Sequence, residues 1–185
     1  SWYICVQVSP RGGDLGQKDG VKPRLLACLR ETALSMLPPG APDTAYALTG
    51  EQAMLLSPVP DGLTGASSLS EQGLHALHTA LRAAPELEGA AVGVGAAEDR
   101  PMCMVAAGVG LCASATGGVR WLRTLADASR CLSDRPCASL LPVLPLAALL
   151  SLEAQGLATC ADLARLGVTA LAERLGCATR AALVL

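Results

Sequence analysis

The stretch from Leu141 to Gly176 most constrains how this chain can fold, because it is apolar, short in period and interrupted by glycine. Leu146, Leu149, Leu150 and Leu152 recur as one helical face, Gly156 turns the chain with φ > 0, and Thr159 caps a second helix bearing Leu163 and Leu166. A third helix follows Thr169. This is the sequence form of a helix-hairpin-helix. Its turn presents backbone N–H groups beside a helix N-terminus, an arrangement that suits a nucleic-acid phosphate and reads no bases. Gly156 and Gly167 are equally able to end short helices in a small bundle with no ligand.

Upstream, Trp2 to Val8 is a β-rich run closed by Ser9-Pro10 and followed by a polar, Gly-rich loop from Arg11 to Lys22. After Pro23, apolar residues from Leu25 to Leu37 keep helical spacing until Pro38-Pro39-Gly40. Thr44 to Leu48 and Ala53 to Leu56 flank Thr49-Gly50-Glu51-Gln52 and fit either a hairpin or a single strand and loop. Ser57 to Ser70 is a predicted loop, with Ser70 capping a helix through Ala84 that buries Leu74, Leu77 and Leu81 and stops at Pro85. Ala90 to Ala96 predicts a buried strand, followed after Glu98-Asp99 by a short helix from Pro101 to Ala107. Gly108 to Gly118 predicts a second loop, and Trp121, Leu122 and Leu125 part of a further helix.

The core must be aliphatic, since 51% of the residues are hydrophobic but Phe is absent and Tyr and Trp number two each. That leaves little aromatic surface for stacking bases. A net charge of -2 argues against a wide basic face, so any DNA contact is expected to be local and weak. The eight cysteines form no Cys-x-x-Cys pair and sit mostly in apolar surroundings. They read as small buried hydrophobes of a reducing compartment, without zinc or disulfides. No apolar run is long enough to cross a membrane and no basic segment precedes a hydrophobic run. The expectation is a soluble protein of the cell interior, in cytoplasm, nucleoid or nucleus.

Catalytic patterns are weak. Gly93-Val-Gly95-Ala-Ala-Glu98 places a carboxylate where a dinucleotide fingerprint needs its third glycine, and no Gly-Lys-Ser or Gly-Lys-Thr supplies a P-loop. His75 and His78 lie one helical turn apart with only Glu71 beside them, which predicts a solvated helix flank in preference to a metal site. No Ser stands in Gly-x-Ser-x-Gly.

Three segments, in order, resemble the Y-family translesion DNA polymerases, and among them the inactive mutasome-type members. Pro42-Asp43-Thr44-Ala45-Tyr46-Ala47-Leu48-Thr49-Gly50 is similar to the palm strand that ends in Leu-Thr-Gly. The run from Gly95 through Arg100 to Ala106-Ala107 is similar to a strand-to-helix segment in which Gly starts the turn, a basic residue follows five positions later and Ala packs the helix. Leu141-Pro142-Val143 and the hairpin match the palm-to-thumb junction. Active members hold magnesium on an acid of the first strand and on an Asp-Glu pair ahead of Leu-Thr-Gly. Trp2 to Val8 has no acid, and Pro42 and Asp43 stand where the pair would be. The fingers are missing too, because about a dozen loop residues separate the first strand from the Pro23 helix.

The resemblance implies an α+β fold: a small palm-like sheet with helices packed on one face (residues 1–140), then an all-α helix-hairpin-helix, thumb-like region (141–185). It implies no enzymatic activity, no cofactor and no metal. DNA backbone would be met by Gly156, Leu157, Ala158, Thr159, Arg165 and Arg100, and apolar surfaces would meet a polymerase or other repair protein. The alternative is a protein-interaction module with no nucleic-acid role. A small hydrolase or transferase built on the Gly93–Gly95 turn lacks an accompanying base or nucleophile.

Overall fold

The β-formers of Trp2–Ser9 make β1 the central strand of a five-stranded sheet that also holds β2 (Thr44–Leu48), β3 (Gln52–Val59), β4 (Ala91–Ala97) and β5 (Gly117–Leu122), in the order β2-β3-β1-β4-β5. The computed structural model describes residues 2–9, 44–48, 52–59, 70–141 and 144–175, with Ala27 and Glu31 as isolated helical positions. The rest of the helix expected after Pro23 lies outside the described residues, as do Pro42 and Asp43. The chain divides into two compact units, Ser1–Leu122 and Arg123–Leu185, so the division falls earlier than the expected Leu141.

In the first unit β1 pairs antiparallel with β3 (Gln52–Val59) and β4 (Ala91–Ala97), setting Cys5 opposite Leu56 on one side and Gly95 on the other. β2 (Thr44–Leu48) pairs antiparallel with β3, which resolves the hairpin alternative in favour of two strands. β3 runs on to Val59, where a loop was expected from Ser57. Pro58 is tolerated there because it lies opposite Tyr3 of β1 and beyond Leu56, the last β3 residue that β2 reaches.

Ser70 starts α1 (Glu71–Ala83), its hydroxyl accepting the Gly73 amide at 3.0 Å. Leu74, Leu77 and Leu81 are buried as expected, in a cluster with Ile4, Val6, Val8, Val92 and Val94. The alternate residues of β4, Gly93 and Gly95, meet α2 (Arg100–Leu111) instead: a Cβ on Gly95 would stand 2.2 Å from the Ala107 nitrogen. Strand side chains alternate between faces, so the helices cover opposite faces of the sheet and not one face as expected. The fold is mixed α/β.

α2 also continues to Leu111 through Gly108 and Gly110, the first residues of the expected loop. Gly110 is there for contact, since a Cβ would lie 2.7 Å from the Gly118 carbonyl oxygen. β5 (Gly117–Leu122) then joins β4 in parallel, a strand where Trp121 and Leu122 had suggested a helix. Trp121 meets Trp2 edge-on at 5.5 Å.

In the second unit Thr124 opens α3 (Leu125–Leu132) through a capping box with Asp127, and a short turn of 3-10 helix spans Cys137–Leu140. α4 (Leu146–Ala154), α5 (Cys160–Leu166) and α6 (Val168–Leu175) follow, α6 beginning just ahead of the expected Thr169. Leu132, Leu140, Leu144, Leu149, Leu152, Leu163 and Leu171 are buried. The four-leucine face expected on α4 is corrected: Leu149 and Leu152 are buried, whereas Leu146 and Leu150 are 60% and 56% exposed. Their spacing places those two one turn apart at the edge of the face that Leu149 and Leu152 bury. Among the described residues no helix is long and apolar enough to cross a membrane.

Candidate functional site

Gly156, with φ +80°, ends α4 as expected. Its amide donates to the Glu153 carbonyl at 2.9 Å and the Leu157 amide to the Leu152 carbonyl at 3.0 Å, a two-bond C-terminal cap. On the other side of the turn the Thr159 amide donates to Asp162 Oδ2 at 3.0 Å, and the Asp162 amide returns to Thr159 Oγ1 at 3.2 Å. Pro136 and Thr159 form a small antiparallel bridge. The Cys160 amide reaches the Arg135 carbonyl at 2.9 Å, and the Ala161 amide reaches Ser133 at 3.1 Å.

The N–H groups of Gly156, Leu157, Thr159, Cys160, Ala161 and Asp162 are therefore all engaged within the protein, and the Ala158 amide turns toward the Asp162 carboxylate. The expectation of a turn with unengaged amides is corrected on this point. The first turn of α5 already holds an anion, because hydrogen bonds from Thr159 keep the Asp162 carboxyl below the usual carboxylate range.

The six residues expected to contact DNA divide between the units. Gly156, Leu157, Ala158 and Thr159 form the turn, and Arg165 lies one turn into α5 with Nη1 3.1 Å from Asp162 Oδ1. Arg100 is the exposed first residue of α2, in the first unit. A further basic residue at the turn escaped the sequence reading. Arg174 of α6 donates from Nη1 to Gln155 Oε1 at 3.1 Å, and Gln155 is itself braced by donation from Nε2 to the Ser151 carbonyl and hydroxyl at 3.1 and 3.2 Å. The two residues are 19 apart in sequence, so no local spacing announced them.

In the first unit, Gly95 does not start a turn as the resemblance implied. It lies within β4, and the turn falls at Glu98-Asp99, where Asp99 Oδ1 accepts the Met102 amide at 2.7 Å and opens α2. Ala106 and Ala107 are buried in α2 as expected. Among the described residues Gln7 of β1 is the buried polar side chain of the core, 5% exposed. The Cys103 thiol of α2 donates to the Tyr3 carbonyl at 3.2 Å, and burial, with Cys5 next to it, pushes that thiol well above its ordinary range.

The expected solvated histidine flank holds for His75, which is exposed, but not for His78. His78 is half-buried with Nε2 3.1 Å from the Val92 carbonyl oxygen, and desolvation lowers its pKa. Of the described cysteines, Cys5, Cys103 and Cys137 are buried as expected, whereas Cys131 and Cys160 are half-buried and Cys112 is exposed. Among the described residues no three His, Cys, Asp or Glu side chains converge in a way that could hold a metal ion. Comparison of the chain with protein-family profiles, with curated proteins and with solved structures finds no match.

Proposed function

We propose that this chain is a non-catalytic, polymerase-like adaptor in DNA-damage tolerance, similar in its segments to the inactive mutasome subunit ImuB and acting inside the cell. On this reading the first unit is palm-like without fingers, and the second is thumb-like and meets DNA backbone weakly. Apolar surface docks a polymerase or another repair protein. One observation carries it: the acid-free β1, the strand that ends at Leu48, the β4–α2–β5 unit with Arg100 opening its helix, and the helical hairpin follow one another in the order the resemblance implies. Catalysis is absent on this reading because β1 offers Ile4-Cys5-Val6 where the family pattern places a metal ligand. Neutral side chains there leave Asp43 to hold two divalent ions alone, which one carboxylate cannot do against their hydration.

Primer-extension gels with magnesium and then manganese test the reading together with duplex-DNA titrations at two ionic strengths. The expected result is salt-dependent binding without incorporation. Templated incorporation that Asp43→Ala abolishes overturns the adaptor.

An interaction module without a nucleic-acid role is favoured by the internally engaged amides of the Gly156 turn and by the exposure of Leu141, Leu146 and Leu150. The same titration separates the two, since such a module binds no duplex at either ionic strength.

A further inference from the structure

With the amides of the turn engaged, a phosphate contact has to come from a side chain, and the basic side chains of the second unit differ in how they are held. Arg130 lies 3.7 Å from Asp127 and Arg165 3.1 Å from Asp162, so each is partly neutralised by its own helix. Among the described residues no carboxylate lies within ion-pair distance of Arg174. Its guanidinium is fixed instead by the neutral Gln155 amide, which the Ser151 carbonyl and hydroxyl fix in turn. A relay of this kind orders a long side chain while leaving its charge and its remaining N–H donors unused. The relay ends at the residue before Gly156, where α4 stops and the chain reverses. Glu173, Glu153 and Asp162 stand in the same unit, so the site would accept one anion and not a charged track.

From this we infer that Arg174, positioned by Gln155 and Ser151, is the phosphate-binding residue of the hairpin, contacting one phosphodiester of the DNA backbone. The inference rests on the DNA-binding reading above and adds to it the group that makes the contact. Gln155 is a positioning residue, acting only through Arg174.

The test is a fluorescence-anisotropy titration of labelled duplex with the full chain and with Arg174→Gln, Arg174→Lys, Gln155→Leu and Arg165→Gln, each checked by thermal melting. Arg174→Gln is expected to weaken binding several-fold and to reduce the slope of log affinity against log salt by about 1, with an unchanged melt. Arg174→Lys keeps the charge and should restore the salt slope but only part of the affinity. Gln155→Leu should weaken binding with the slope intact. Arg165→Gln should change affinity less than Arg174→Gln.

If the parent binds DNA and Arg174→Gln matches it in affinity and slope, the assignment of Arg174 is overturned while the adaptor reading stands. If the parent binds no duplex at either salt, both fall. Replacing chloride by inorganic phosphate at matched ionic strength should weaken duplex binding by the parent, because the two phosphates compete for the same guanidinium, and should affect Arg174→Gln less. Equal weakening of the parent and Arg174→Gln by phosphate would overturn the assignment of Arg174.

Discussion

Thr159 and Asp162 cap the same helix reciprocally, with the Thr159 hydroxyl 2.7 Å from Asp162 Oδ2 and the Asp162 amide directed back to that hydroxyl. Thr159→Ala removes the acceptor for the Asp162 amide and is expected to lower stability by about 1 kcal/mol. Asp162→Asn should lower it as well and should flatten the acid limb of the stability curve. The sign follows from the lowered carboxyl pKa: the stabilisation is complete above the ordinary carboxylate value of 3.8 and is lost as pH falls through the lower folded-state value. Chemical denaturation of both variants across the acid range checks the pair, and an Asp162→Asn acid limb as steep as the parent's contradicts it.

Two glycines in similar sequence settings should respond very differently to alanine. A Cβ on Gly95 would lie 2.2 Å from the Ala107 nitrogen and 2.5 Å from the Cys103 oxygen, backbone atoms with no rotamer to yield. Overpacking of that kind destabilises by roughly 1–3 kcal/mol or more. Gly156→Ala has nothing within 4 Å of its Cβ and carries only the strain of φ +80°, about 1–2 kcal/mol. Thermal melts should rank Gly95→Ala as the more damaging change.

His78 should make the first unit acid-sensitive. Its pKa is lowered from 6.5, chiefly by burial, with Arg82 and His75 adding repulsion and the Val92 carbonyl opposing them. The unfolded chain then takes up the proton more readily than the folded one, so stability is undiminished above pH 6.5 and declines as pH falls from there toward the folded value. His78→Gln, which cannot titrate, is expected to remove that part of the decline. A parent and a variant that lose stability in parallel below neutrality would exclude His78 as the source.

Thiol labelling should follow exposure and the upward shifts. Under native conditions at neutral pH, iodoacetamide is expected to modify Cys112 before Cys160, whose thiol burial pushes up to about 11. Cys5, Cys103 and Cys137, all buried, should react only on unfolding. Peptide mass spectrometry over a labelling time course gives the order directly, and early labelling of Cys103 contradicts the packing of α2 on β1.

What sequence could announce was local. Ser70 with Leu74, Leu77 and Leu81 specifies α1 through a cap and a period, and Gly156 with Thr159 specifies the hairpin turn in the same way. What it could not announce depended on partners far along the chain. Gly110 resembles a loop glycine until β5 arrives to need its missing side chain, Gly108 until Gln7 of β1 does, and β5 itself is a strand by virtue of a parallel neighbour across an intervening helix. The hydrogen bonds of the α5 amides escaped for the same reason, since Ser133 and Arg135 lie more than twenty residues upstream. Leu146 and Leu150 fitted the periodic pattern, yet a period says only that a face exists and not which side the neighbour approaches.

The glycines of β4 give the two sides of the sheet different freedom to change. On the side of α1 the spacing is set by leucine and valine side chains, which can be exchanged for others of equal volume as long as the sum is kept. On the side of α2 the main chains of helix and strand are in contact at Gly93 and Gly95, and the spacing there is a property of the backbone. Descendants of this chain can therefore drift in composition across one layer while the other admits almost no alternative alphabet. A helix displaced by even the width of a methyl group would shift Arg100 and the start of α2 with it.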